Sequence, residues 1–208
     1  MKITIIGFGV VGKALLYGFK KLGHDCLTID KNNLGDFKKV INSEIIFLTL
    51  PTPLKKNQLD QSIIEMYLKK LSKINFKGLV VIKSTVPINF TKEIQQTYKD
   101  LNILFSPEFL REGTALFDNL YPSRIVVGGK EKIAKEFLDL MHESAKADDI
   151  DLIHSSTSEA EAIKLFSNAY LAMRVSFFNE LDSFSIIEGL NTKNLIHGVS
   201  LDERIGNE

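Results

Sequence analysis

The chain has 208 residues, 44% hydrophobic and 25% charged, and its 26 basic and 26 acidic residues cancel. That length can bury a core without disulfides or metals, and zero net charge gives no bulk attraction for nucleic acid or an anionic membrane. A single cysteine excludes an internal disulfide and any zinc site built on several thiols, and no apolar run reaches the roughly 20 residues a bilayer span needs. A reducing, cytoplasmic setting fits this cysteine usage, with no metal, nucleic-acid or membrane partner expected.

Short Val/Ile/Leu-rich runs at residues 2–6, 27–29, 45–49, 79–83, 103–105 and 124–127, with a weaker one at 151–153, read as strands. They are continuous rather than alternating, as strands covered on both faces are. Helical patterns separate them at residues 10–22, 61–72, 90–99 and 132–145. The alternation predicts an α/β fold: a Rossmann-like, doubly wound, mostly parallel sheet over residues 1–157. From Ser158 to about Glu188 the pattern is one long helix, about 45 Å at 1.5 Å per residue. Ser158 and Glu161 have capping-box spacing, and Gly189 sits where a C-cap glycine belongs. Ile163, Phe166, Tyr170, Met173, Phe177, Leu181 and Phe184 follow at steps of three and four. They form either a core-facing stripe or a spine between domains or subunits.

Gly7-Phe8-Gly9-Val10-Val11-Gly12 follows a buried strand and opens a helix. In this pattern the first glycine permits a tight turn, the second lets backbone approach a pyrophosphate, and the third lets helix pack on strand. The helix N-terminus then offers N–H groups to phosphate. Asp30, at the end of the next strand, can accept hydrogen bonds from a ribose diol and would repel a 2′-phosphate, so the expected cofactor is NAD. Three further loops sit at strand ends: Leu50-Pro51-Thr52-Pro53, Lys83-Ser84-Thr85-Val86-Pro87 and Ser106-Pro107-Glu108-Phe109-Leu110-Arg111-Glu112-Gly113. Open α/β sheets bind ligands along that edge. Glu108 and Glu112 are paired carboxylates suited to acid–base work or to ordering a water. Lys164 and Asn168, four apart on the long helix, share a face. A lysine there can steady a developing alkoxide, and the asparagine can hold a hydroxyl or a water.

Taken in order with Asp118-Asn-Leu-Tyr-Pro-Ser-Arg-Ile-Val-Val-Gly, the helix from Ser158 to Leu181 and Asp202-Glu-Arg-Ile-Gly, these motifs resemble the UDP-glucose/GDP-mannose dehydrogenase family over nearly the whole chain. The resemblance implies a four-electron oxidation of UDP-glucose to UDP-glucuronate, with two NAD reduced in turn. It implies Gly7, Gly9, Val11, Gly12 and Asp30 as NAD-binding positions, with Thr52, Thr85 and Glu112 near the nicotinamide half. Phe109, Leu110 and Arg111 match the loop along the UDP-sugar, and Glu108 matches an acid in water-mediated proton transfer. Lys164 and Asn168 match the pair at the sugar and its oxyanion, and Arg204 an arginine that reaches substrate across a subunit interface. Thr85, Glu108, Lys164 and Asn168 are thus the candidate catalytic residues. A homodimer of the intact enzyme, through the long helix and the middle region, is implied as well.

The chain departs from the family pattern twice. The cysteine nucleophile of the second oxidation belongs to a motif after the Asp-x-Arg-Ile-Gly match and is not among these residues, and neither is the C-terminal UDP-binding domain. Residues 158–208 then read as the long central helix and the start of a middle region, and the chain is expected to bind NAD without completing the reaction. Cys26 reads as a structural thiol. The segment from Lys31 to Ser43 is also short for a parallel crossover, which predicts a trimmed or rearranged sheet. Rival readings are oxidation of GDP-mannose or a UDP-N-acetyl-hexosamine, and a non-catalytic NAD-binding or assembly module. The stretch from Asp118 to Arg124 leans toward UDP-glucose.

Overall fold

A computed structural model describes residues 1–31, 37–111, 113–147 and 149–206. The main sheet contains β1 (Lys2–Ile6), β2 (Asp25–Ile29), β3 (Ile45–Leu48), β6 (Leu79–Ile82), β7 (Asn102–Phe105), β8 (Arg124–Gly128) and β9 (Asp151–Ser155). A small hairpin, β4 (Leu54–Lys55) with β5 (Gln58–Leu59), follows β3. The helices are α1 (Val10–Lys21), α2 (Ser62–Lys73), α3 (Phe90–Thr97), α4 (Ala115–Leu120), α5 (Glu131–Ser144), α6 (Thr157–Ile187) and α7 (Thr192–Ser200). The hairpin, α4 and a 3-10 turn at Phe37–Asn42 are too short to carry a periodic signal, and the sequence reading has none of them, nor α7, which is no shorter than α3.

The sheet order is β2-β1-β3-β6-β7-β8-β9. All neighbours are parallel except β7 and β8, which run antiparallel and pair only through Phe105 and Gly128. The strand side chains alternate between two cores, as the two-residue pleat requires. Ile6, Ile46, Leu48, Val80, Ile82, Ile103, Phe105 and Val126 face the helices α2 and α3. Ile3, Ile5, Ile45, Phe47, Val81, Leu104, Ile125 and Val127 face α1 and α5. Each fully buried side chain of this size contributes roughly 1.5–3 kcal/mol. Two covered faces explain why the strands read as unbroken apolar runs.

The short segment after β2 has a visible consequence. Six-stranded dinucleotide-binding sheets carry a further strand outside the second one. Among the described residues β2 is the edge, which fits the trimmed alternative of the expectation; residues 32–36 of that segment lie outside the described residues. The connection from β2 to β3 passes β1, and strand order reverses there. The crevice where such sheets bind ligands therefore lies at the C-terminal ends of β1 and β3.

The chain divides into two compact units, Met1–Lys164 and Leu165–Glu208. In the second unit, Gly189 adopts φ +64° and Leu190 N–H donates to Ser185 O at 2.9 Å, the helix stop expected there. Asn191 caps α7 by accepting from Asn194 N–H at 3.0 Å, and Arg174 donates to Ile205 O at 2.9 Å. A core-facing stripe along α6 is not what the structure shows. Ile163 packs against the sheet core, but Phe166, Tyr170, Met173, Phe177 and Phe184 are exposed. The capping box also moves. Helix α6 begins at Thr157, so Ser156 caps it reciprocally with Glu159, through Ser156 N–H to Glu159 Oε2 (2.8 Å) and Glu159 N–H to Ser156 Oγ (3.2 Å). Ser158 and Glu161 instead bind the start of α3.

Candidate functional site

Four loops leave the same edge of the sheet after β1, β3, β6 and β7, because those strands are parallel. The first is the glycine loop. Gly7 has φ +100°, and a Cβ there would lie 2.3 Å from Thr49 O. A Cβ on Gly12 would lie 2.2 Å from Gly7 O. Both positions exclude a side chain. Gly9 differs, because nothing lies within 4 Å of a Cβ built on it. It caps α1, whose first turn holds no acidic residue. The open space at Gly9 above bare N–H groups fits a pyrophosphate. Val11 is half-buried against the α1-side core. The loop is fixed by Thr49 Oγ1, which donates to Gly7 O at 2.6 Å, and by Phe8 N–H, which donates to Asp30 Oδ2 at 2.9 Å. Asp30 therefore stands beside the loop.

The second and third loops are tied together. Thr52 Oγ1 donates to Thr85 O at 2.8 Å, and Leu50 N–H donates to Ser84 Oγ at 2.8 Å. The hydroxyl of Ser84 in turn donates to Leu48 O at 3.3 Å. Ser84, a residue the sequence reading left without a role, is buried and links these loops.

The fourth loop carries the charge. Lys164 reaches it from α6, donating to Glu108 O at 2.6 Å and to Glu108 Oε1 at 3.1 Å. The two side chains are only 7% and 21% exposed, so this is a largely desolvated ion pair. Leu110 N–H donates to the other carboxylate oxygen, Glu108 Oε2, at 2.7 Å. The ring of Phe109 has the Arg124 guanidinium 3.9 Å from its centroid and Lys164 Nζ at 5.4 Å. Beyond it, Arg111 pairs with Asp118 at 2.8 Å, and Asp118 also accepts from Arg111 N–H and Thr114 Oγ1. Those hydrogen bonds, Arg111's side chain first, hold the Asp118 carboxyl at about 2.

The structure thus brings Gly7, Gly9, Gly12, Asp30, Thr52, Thr85, Glu108, Phe109, Leu110 and Lys164 to one edge of the first unit. Glu112 lies outside the described residues. Asn168 and Arg204 lie in the second unit, where Arg204 is exposed and forms a bidentate pair with Asp202 at 2.6 and 2.9 Å. Sequence reading placed Lys83 and Arg124 in motifs but gave neither a role of its own at this edge, where Lys83 is buried. A lysine closing the apolar run Leu79-Val80-Val81-Ile82 was the available signal for Lys83. Cys26 is half-buried near the start of β2, and its thiol donates to His24 O at 3.6 Å. Burial pushes that thiol up, which makes it a poorer nucleophile. Among the described residues no group of three His, Cys, Asp or Glu could hold a metal ion, and no helix is long and apolar enough to cross a membrane.

Residues 35–146 match the model for the UDP-glucose/GDP-mannose dehydrogenase family, NAD binding domain, and residues 158–208 match the central domain of the same family. A UDP-glucose 6-dehydrogenase of Campylobacter jejuni is 40% identical over 241 aligned positions, covering 99% of this chain and 61% of the relative. One from Streptococcus pneumoniae is 46% identical over 156 positions, covering 72% of this chain and 40% of the relative. The solved UDP-glucose dehydrogenase of Pyrobaculum islandicum superposes with a TM-score of 0.85 at 26% identity, over 99% of this chain and 57% of that one. The chain spans about three fifths of the length of the Campylobacter relative. That alignment has 241 positions against the 208 residues here, so the relative carries residues with no counterpart in this chain.

Proposed function

The chain belongs to the UDP-glucose/GDP-mannose dehydrogenase family, and on that premise we propose that it is the cofactor-holding portion of an enzyme that oxidises UDP-glucose to UDP-glucuronate with NAD. The observation that carries the reading is the desolvated contact of Lys164 with Glu108, at the same sheet edge as the glycine loop.

Gly9 and the first turn of α1 would hold the pyrophosphate, with Gly7, Val11 and Gly12 shaping the loop. Asp30 would accept hydrogen bonds from the adenosine ribose. Thr52 and Thr85, with Glu112, would line the nicotinamide half. When bound, NAD supplies the acceptor for the hydride that leaves the sugar's primary alcohol carbon. As that hydride leaves, the hydroxyl loses its proton and its oxygen gains negative charge. The Lys164 ammonium stabilises that charge, and a stabiliser in a largely dry site acts far more strongly than one in water. Glu108 accepts the proton through a water, and Asn168 holds the reacting oxygen. Phe109, Leu110 and Arg111 form the wall against which the UDP-sugar lies. Arg204 would act on the site of a second copy, in a homodimer built through the long helix.

The second oxidation needs a thiol to capture the aldehyde. The one thiol in these 208 residues is Cys26, half-buried near the start of β2, while the glycine loop leaves the far end of β1. These residues alone should therefore bind NAD and form no UDP-glucuronate. Titration with NAD, followed by incubation with UDP-glucose and excess NAD while NADH absorbance is read, tests both statements. Sustained turnover to the acid would overturn the second, and failure to bind NAD would overturn the first. Sizing chromatography tests the dimer; a tight dimer that ignores NAD would favour an assembly module instead.

A further inference from the structure

Lys83 directly follows β6 and is only 6% exposed. Its Nζ donates to Ser106 Oγ and to Pro107 O, each at 3.3 Å. The next carbonyl along the chain, Glu108 O, accepts from Lys164. Two ammonium groups from different elements, a strand end and a helix, therefore hold consecutive carbonyls of one turn. Burying an ammonium is unfavourable unless its surroundings compensate, so an apolar side chain of similar length would suit a plain core position better. We infer that Lys83 is a positioning residue: it fixes the Pro107–Glu108 turn from within the sheet and forms one electrostatic cluster with Glu108 and Lys164. This rests on the reading of Glu108 and Lys164 as the reacting pair.

The charges around Lys83 support the grouping. Burial lowers its pKa to about 8, Glu108 from the loop after β7 pulls it back up, and Lys164 from α6 pushes it further down. Lys83 thus loses its charge as pH rises through about 8, and it senses both members of the pair.

The test follows the Lys83 side chain by NMR in the full chain carrying 13C-labelled lysine, with Lys83→Arg identifying the resonance. The titration midpoint should lie near 8. In Glu108→Gln it should fall by about 0.5 pH or more, and in Lys164→Met it should rise by a similar amount. A midpoint unmoved in both variants, or one at the ordinary lysine value in the parent, would overturn the inference, since a lysine that only ties Ser106 to Pro107 would not respond in opposite directions. Should either variant fail to fold, hydrogen exchange at Leu110 decides the matter, because its N–H donates to Glu108 Oε2. In Lys83→Met that exchange should speed at least about tenfold, and Lys83→Arg should restore it; an unchanged rate counts against the inference. Neither measurement uses NAD or substrate, so the enzymatic reading can fail separately.

Discussion

The sheet edge of the first unit and the distal part of α6 in the second treat hydrophobic residues in opposite ways. At the edge, apolar strands end inside two cores, and charged groups such as Lys83, Glu108 and Lys164 sit in nearly dry surroundings. Past Lys164, large apolar side chains are open, with Phe166 69% and Ile187 80% exposed. One helix obeys both rules, so spacing alone does not decide burial. Cover decides it: Ala160 and Ile163, near the start of α6, pack against the sheet core. Under the proposed dimer, these exposed apolar side chains would be the ones a second copy covers.

Substitutions can sharpen that contrast. The largest effect is expected at Gly7→Ala, which adds a Cβ 2.3 Å from Thr49 O at a positive φ. It should cost more than about 3 kcal/mol and lower the thermal midpoint sharply or prevent folding. Gly9→Ala should leave the midpoint unchanged, since its Cβ meets nothing, yet weaken NAD binding about tenfold or more. Equal midpoints for the two variants would break the argument that the glycines do different work.

Lys164→Met comes next. It strands the Glu108 carboxylate in a largely desolvated place and should cost about 2–3 kcal/mol in urea unfolding at neutral pH. A loss below about 0.5 kcal/mol would mean the pair is solvated after all.

Glu161 gives a smaller, pH-dependent effect. Its carboxylate is fully buried, accepting from Asn89 N–H at 2.7 Å and Thr91 N–H at 2.8 Å. Burial nevertheless pushes its carboxyl above the ordinary glutamate value, outweighing those hydrogen bonds. A raised acid favours the folded state while protonated. Its contribution is full below the ordinary value of about 4.5 and is lost as pH climbs through the raised one. Glu161→Gln should remove that decline from a series of unfolding curves, and parallel curves for parent and variant would contradict the assignment.

The smallest change belongs to the distal helix. Phe177→Ser, at a 54% exposed position, should alter the stability of a monomer by no more than about 0.5 kcal/mol. The same change should weaken any self-association seen by sizing. A loss above about 2 kcal/mol at low protein concentration would show that the residue is buried and erase the contrast between the regions.

Much of this was legible in the residues themselves. Covered strands, the glycine turn, the answering Asp30 and the three loops after β3, β6 and β7 are local or periodic signals. They follow from the two-residue pleat and from turn chemistry, which depend on neighbours in sequence. The short segment after β2 likewise pointed to a trimmed or rearranged sheet, without saying which strand would stand at the edge. The capping box was misplaced by two residues because Ser156-Thr157-Ser158 and Glu159-Ala160-Glu161 offer two registers of one pattern, and only contact with α3 assigns Glu161 elsewhere. Lys83 stood in the Lys-Ser-Thr-Val-Pro loop at the ligand edge, but nothing local gave it a role of its own beyond ending an apolar run. Its burial, and its place beside Lys164, 81 positions on, depend on which strands become neighbours. The sequence therefore determined the strands of the main sheet, the longer helices and the chemistry of their loops. Tertiary structure alone decided which charges lost their water, because desolvation is imposed by atoms brought from distant parts of the chain.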